Sequence, residues 1–347
     1  MDRRTFMIAT GAALAAPSAA RASQDSVGRW TPLSDMPFAA QEIYPAAFRC
    51  GGEPVIAVAG GITAGVNGKL GVTDQCAFYV AVADIWNFGA TLPAPRHHLA
   101  LASAGDALFA IGGFAADDAG QWRMQRDVWR IDDLNREKWR AVAPLPAPQA
   151  EAVTLSHKGL IHMIGGRTPM AEHNQDWTDQ TDTGDHWVYD PKADKWSARA
   201  PLPLARNSAA GAVLDGALYV ISGRTVAGGN TPVCHAYDPK TDQWREIAPL
   251  PASENRDAPR GQGGLAAAAS GKSIIAFGGE WFGETSGVYA DAFTYVPETE
   301  EWTRISSMSR PRHGLGAVTL GDAIYALGGA TGPSANGVCA FVDRFGP

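Results

Sequence analysis

The sequence predicts an all-β fold, a six-bladed propeller whose sixth blade is closed by a strand from the N-terminus. Three observations predict it. A glycine doublet follows an apolar run at Gly60-Gly61, Gly112-Gly113, Gly165-Gly166, Gly278-Gly279 and Gly328-Gly329, with Ser222-Gly223 in the sixth position, and successive copies lie 50 to 57 residues apart. Each doublet except the last is followed by a polar loop, a strand-like stretch and a tryptophan: Trp86, Trp139, Trp196, Trp244 and Trp302. Three of the tryptophan strands run into the same Ala-Pro-Leu-Pro at 143–146, 200–203 and 248–251. Self-similarity at such a period marks one supersecondary unit repeated around an axis rather than a string of separate domains.

Each unit holds four runs of strand composition. In the fourth copy they span 208–214, 217–221, 233–238 and 244–247, separated by Asp215-Gly216, a polar loop and the turn 239–242. Asp-Gly and Asp-Pro are turn formers, and short β-rich runs at this spacing favour sheet over helix. A lone sheet of this size leaves both faces wet, whereas packing six around an axis buries the faces and shields the edges. The doublet closes the second strand, where absent side chains permit positive φ and close backbone approach. Pro-Leu-Pro suits an outer edge, since proline cannot donate to a ladder. After Gly329 only 336–345 remains, enough for one more strand. The orphan Trp30-Thr-Pro-Leu-Ser-Asp-Met-Pro37 supplies the missing tryptophan strand, so the N-terminal segment is expected to complete the sixth blade.

Doublet, tryptophan and Pro-Leu-Pro together resemble the kelch family of β-propellers, and the resemblance covers essentially all of residues 23–347. Residues 1–22 read separately, as an export signal. Arg3-Arg4-Thr-Phe6-Met7 resembles the twin-arginine motif, the apolar stretch 6–16 follows, and Ala20-Arg21-Ala22 has the small-residue form of a cleavage site. The apolar run is too short to anchor in a bilayer. The expectation is a periplasmic or secreted propeller with no integral membrane segment. Removing three arginines and one aspartate with the leader takes the formal net charge from −7 to −9. An acidic protein without a basic tail is a poor ligand for nucleic acid or anionic membranes. Cys76, Cys234 and Cys339 fall in equivalent third-strand slots of different blades, too far apart to bridge. Cys50 is the one candidate partner for Cys76, and buried, reduced thiols are the expectation for all four.

Strand parity sorts the loops. Blade-to-blade loops and the loops after each doublet share one face, and the Asp-Pro-Lys turns lie on the other. The shared face collects polar groups, and at it we expect a ligand site formed by Arg96, Arg167, Arg206, Asn207, Arg224, Arg260, Arg312 and Trp281. Glu280, Glu151 and His313 are the candidate acid–base groups should the site be catalytic. Arginine forks recognise carboxylates and vicinal hydroxyls, aromatic planes stack on sugar rings, and a concave polar mouth is where a ligand is first sought. The insertion 168–184 carries Glu172, Asp176, Asp179 and Asp182 with no Lys or Arg, and its carboxylate spacing does not match a calcium loop. It reads as a solvated acidic flap over the mouth. His157, His162 and His235 fall away from this face, and no histidine pair has helix-borne metal spacing. No metal and no cofactor are expected.

Two functions follow. The first is a binding protein for a small polar ligand, a saccharide or a carboxylated molecule. The second comes from the resemblance. Exported kelch propellers include a sialic-acid epimerase or mutarotase family, similar in repeat number and compartment, which implies an acid, a base and a cation near an anomeric centre. A protein-interaction scaffold is a third possibility, because kelch modules elsewhere read acidic peptides with arginines at equivalent loops. Copper oxidases of the same repeat need a Cys–Tyr crosslink, two ligand histidines and an appended domain, and this sequence is not expected to follow them.

Overall fold

The computed structural model describes residues 28–64, 70–116, 120–135, 137–172, 174 and 176–346. The leader at 1–22 and His173 lie outside the described residues. Six four-stranded antiparallel sheets form the blades. The fourth copy gives Ala210–Leu214, Ala217–Ile221, Cys234–Asp238 and Gln243–Ile247, within two residues of the boundaries read from the sequence. The sixth is composite. Val342–Gly346 follows Ala323–Leu327, and Arg29–Pro32 adds the outer strand with Trp30 opposite Phe345. Trp30 packs on Phe345 and on Phe277 of the fifth blade, both at 4.9 Å between ring centroids.

The repeated tryptophan is explained by one contact made six times. Each indole Nε1 donates to a carbonyl of the preceding blade: Trp86 to Ser34, Trp139 to Ala90, Trp196 to Ala143, Trp244 to Ala200, Trp302 to Ala248 and Trp30 to Ser306, all at 2.8–3.0 Å. The acceptor is always four residues after the neighbour's tryptophan, which in three blades is the alanine before Pro-Leu-Pro. An aromatic with a single polar handle suits this place, because its body fills the seam between sheets while its N–H is satisfied. In three blades a second staple lies nearby. Asp84, Asp194 and Asp242 each accept from a tyrosine of their own blade (Tyr79, Tyr189, Tyr237; 2.5–2.7 Å) and from a backbone N–H of the preceding one.

The glycine doublets sit where the second strand meets the hub. At Gly113 (φ 79°) and Gly329 (φ 101°) an added Cβ would stand 2.6 Å from the carbonyl oxygen of His97 and of His313. The chain can pass this point only without a side chain. All four cysteines are buried and free, including the Cys50 and Cys76 pair. Among the described residues no helix is long and apolar enough to cross a membrane. The channel below the mouth is narrow and apolar, a void of about 80 Å³ lined by first strands such as Val153–His157 and Ala266–Ser270.

Candidate functional site

Three consecutive residues entering each blade form three rings at the hub, and each ring does a different job. The outermost holds Ala40, Arg96, Gln149, Arg206, Gln262 and Arg312. The next, Gln41, His97, Ala150, Asn207, Gly263 and His313, pairs with the residue following each doublet: Ile62, Phe114, Arg167, Arg224, Glu280 and Ala330. The third is Glu42, His98, Glu151, Ser208, Gly264 and Gly314, and all six take positive φ between 50° and 65°. At five of its six junctions the backbone N–H of one blade donates to the carbonyl of its neighbour, as from Glu42 to Gly314 (2.7 Å) and from Gly314 to Gly264 (2.9 Å). The left-handed conformation is what turns these side chains onto the axis. It is costly for residues with a Cβ and is tolerated where the surroundings impose it.

The first ring is structural, which corrects the sequence expectation for three arginines. Arg206 is 1% exposed and donates to the carbonyls of Ser222, Leu204, Val220 and Val233 at 2.7–3.3 Å. Arg312 is fully buried on the carbonyls of Gly328, Arg310 and Ala326 and on the Asp343 carboxylate at 2.7 Å. Arg96 pairs with Asp127 at 2.8 Å and lies over the Trp129 ring. The Arg206 and Arg312 forks satisfy strand-end carbonyls inside a blade, Arg96 holds Asp127 and the Pro95 carbonyl, and none of the three lines the opening. Arg260 is exposed two residues before Gln262, which holds the equivalent place. Trp281 is buried against Tyr289 (4.7 Å), and its neighbour Phe282 faces the opening instead. Asn207 lies just behind the cavity wall, accepting from Arg167 (3.0 Å) and donating to Asp182 (2.6 Å).

The opening itself is a cavity of about 510 Å³, within the range of about 300–1,000 Å³ usual for small-molecule sites. The structure brings together here Glu151, Glu280, His313, Arg167 and Arg224 from the sequence expectation. It adds Glu42 and His98, which sequence reasoning did not select as site residues. Their side chains form a closed circuit. His98 Nε2 lies 3.1 Å from Glu42 and 3.4 Å from Glu151, and Glu151 is 3.1 Å from Arg167 and accepts from Ser208 at 2.6 Å. Arg224 donates to Ser208 (3.2 Å) and Glu280 (2.9 Å), and His313 Nδ1 stands 3.3 Å from Glu280 and 3.8 Å from Glu42. The other ring nitrogen of His313 contacts the Ser334 carbonyl at 2.7 Å.

Burial disfavours the charged forms of Glu42, Glu151, His98 and Arg224, and their neighbours reverse the effect, whereas at Arg167 burial prevails and holds the guanidinium below its ordinary value. Burial would raise the Glu42 and Glu151 carboxyls, but His98 and the arginines hold both below their ordinary value. Burial would lower His98, but Glu42 and Glu151 hold it above its ordinary value. Burial and the adjacent His98 keep His97 well below, hence neutral. The two Nδ1 atoms are 2.6 Å apart, a contact that needs one proton; protonated His98 supplies it and His97 accepts. Three carboxylates thus face Arg167, Arg224 and the His98 imidazolium, and the circuit is balanced.

The balance sets a pH dependence. The depressed carboxylates stabilise the fold above 4.5, their ordinary value, and lose that contribution as pH falls below it. The raised His98 stabilises fully below 6.5 and loses its contribution as pH rises through its folded value above that. The circuit should therefore contribute most between pH 4.5 and 6.5. Denaturant unfolding of wild type and His98→Gln across pH 4 to 9 should show a gap that is widest in that window and narrows on the alkaline side. A gap that widens above pH 7 would contradict the assignment.

The insertion is exposed along much of its length, as at Glu172 and Asp176, and is also held down. Its ribbon pairs Arg167–Pro169 with Gln180–Asp182, and Asp182 accepts from Asn207 and from the Val226 backbone N–H (2.7 Å). Asn174, 3% exposed, accepts from the Met124 N–H of the second blade at 2.5 Å. Among the described residues no group of three His, Cys, Asp or Glu side chains is placed to hold a metal ion.

A family model described as "Kelch motif" matches residues 205–251, the fourth repeat from Arg206 to the end of Pro-Leu-Pro. Kelch-like protein 25 of Rattus norvegicus is 30% identical over 258 residues, covering 74% of this chain and 40% of the relative. Kelch-like protein terF of Aspergillus terreus is 24% identical over 309 residues, covering 87% of the chain and 64% of the relative. The chain thus spans about 40% of the length of the Kelch-like protein 25 relatives it matches. The solved structure of YjhT superposes with a TM-score of 0.72 at 18% identity, over 90% of this chain and 95% of that one, which is a likeness of fold.

Proposed function

Since this chain is a six-bladed propeller built of kelch repeats, we propose that the opening at its hub binds a neutral, polyhydroxylated small molecule of the saccharide class. The observation that carries the reading is the balanced circuit of buried carboxylates and guanidinium groups around the cavity floor. An anionic ligand would meet Glu42, Glu151 and Glu280, and a cationic one would meet Arg167 and Arg224. A hydroxyl both donates and accepts, so a row of vicinal hydroxyls satisfies both without disturbing the pairs. Gln41, 2% exposed and lining the same cavity, has an unpartnered Oε1 that a hydroxyl would fill. The carboxylated ligand considered from the sequence is the weaker fit for the same reason. The leader read at 1–22 would deliver such a receptor outside the cytoplasm.

One arrangement favours a catalytic version, a sugar epimerase or mutarotase. The circuit sets each imidazole beside two carboxylates, His98 with Glu42 and Glu151 and His313 with Glu280 and Glu42. A charged imidazole can protonate a ring oxygen while a carboxylate accepts an anomeric hydroxyl proton, the acid and base that anomer exchange needs. Titration calorimetry against neutral and acidic sugars, followed by NMR of freshly dissolved reducing sugars, separates the readings. Neutral sugars should bind, and Glu151→Gln should weaken them by at least about tenfold, the loss of one charge-assisted contact. Accelerated anomer equilibration would add the enzyme. Binding confined to acidic sugars would overturn the neutral-ligand reading.

A further inference from the structure

The saccharide reading accounts for the floor of the cavity and leaves its walls unexplained. On blades three to five the residue after the doublet is charged, whereas on blades one and two it is Ile62 and Phe114. Leu70, immediately before the ribbon strand Gly71–Val72 that pairs with Ile62–Thr63, and Trp122, in the ribbon that pairs with Phe114–Ala116, continue the apolar wall. Phe282 closes the opposite side with its ring 5.8 Å from the Arg224 guanidinium. Leu70 is 46% and Phe282 49% exposed, and both line this one opening. Trp122 is held against His97 at 4.1 Å between ring centroids, so the wall is preformed. A bare sugar on the charged floor would leave these surfaces in contact with water.

The geometry points to a glycoside with an apolar aglycone as the ligand, its sugar ring on the carboxylate–guanidinium floor and its aryl or alkyl group against Ile62, Phe114, Leu70 and Trp122. The inference rests on the saccharide reading and adds the ligand's second half. Gln41 stands at the junction: its backbone pairs with Ile62, it lines the cavity together with Glu42, and its Oε1 has no partner. A ligand that is polar at one end and apolar at the other matches that change of lining, and one that is polar throughout does not. Phe114 stacks one face on His97 at 5.0 Å and 9° and is only 2% exposed, so it backs the wall that Leu70 and Trp122 present to an aglycone.

The test uses the full chain and matched pairs of probes, the methyl, hexyl and phenyl glycosides of glucose, galactose and mannose, in titration calorimetry. For whichever sugar binds, the phenyl or hexyl member should bind at least about tenfold more tightly than the methyl member, the result of burying the added apolar surface. A hexyl preference over phenyl would assign the wall to an alkyl chain, and the reverse to a ring. In Leu70→Ser, a change at a half-exposed site with thermal unfolding as the folding control, the preference should shrink by about threefold or more. Equal affinity for all three members overturns this inference and leaves the saccharide reading standing. Equal tightening in wild type and Leu70→Ser also overturns it, because the aglycone would then sit elsewhere. Binding by no member defeats both.

Discussion

Arg312→Ala is expected to destabilise the propeller by about 3–5 kcal/mol, the cost of removing one partner from a buried ion pair. The side chain is completely buried, and its loss strands the Asp343 carboxylate together with the carbonyls of Gly328, Arg310 and Ala326. Arg310 also holds Asp343 at 2.8 Å from a partly exposed position, so some of the charge stays compensated and the lower half of that range is the expectation. Arg312→Lys should recover little. A point ammonium cannot reach the four diverging acceptors that a planar fork spans. Urea unfolding measures this directly. A variant as stable as wild type, or one fully rescued by lysine, would show that the guanidinium does not do the structural work assigned to it.

Deleting residues 28–37 should cost more than about 5 kcal/mol, a large part of the 5–15 typical of a domain. The deletion removes the outer strand of the sixth blade and two of the six indole clasps, since Trp30 is the donor to Ser306 and Ser34 is the acceptor of Trp86. It also removes the backbone bonds of Leu33 to Val342 (2.9 Å) and Met36 to Ala340 (2.8 Å). Trp30 alone, lodged between Phe277 and Phe345, accounts for about 3 kcal/mol and each backbone bond for about 1. Beyond the sum, the cut turns a closed ring into an open one with a bare strand edge, which invites association. Thermal unfolding with light scattering should show an early transition that aggregates. Coincident melting of the truncated and intact chains would contradict closure by this strand.

The second of these results concerns what the sequence showed most clearly, and the first what it misread. The repeat spacing, the missing strand after Gly329 and the spare Trp30 forced a closed six-bladed ring, because each copy carries its own tryptophan clasp and its own glycine doublet or, in the fourth, Ser222-Gly223. The site was only half legible, for a definite physical reason. Arg206 and Arg312 head the blade-entry triplets and look like ligand arginines, yet the first position of the triplet points into the blade. The third position faces the axis, because its backbone is left-handed. Nothing in Glu42, His98 or Glu151 announces such a conformation. The signal lay in the alignment of copies: Gly264 and Gly314 occupy the same column, and glycine in two of six copies marks a backbone that disfavours a side chain. Non-glycine residues held at such a place are where function is sought. Arg167, Arg224 and Glu280 were found because the doublet before them fixes their position without ambiguity.

The acidic insertion was legible in part. Its carboxylates without a cation suggested a solvated flap, and Glu172 and Asp176 are exposed, but Asp182 and Asn174 tie it to the fourth and second blades. Composition gave the charge of the segment, and contacts far apart in sequence gave its anchoring.

The most direct measurement is a crystal structure of the chain with the tightest neutral saccharide from calorimetry. It should show the sugar ring over the hub, its hydroxyls within hydrogen-bond distance of Glu42, Glu151 and Glu280 and of the Arg224 guanidinium. A sugar seated on an outer blade face, with the circuit unchanged and solvent-filled, would contradict the assignment of this opening as the binding site.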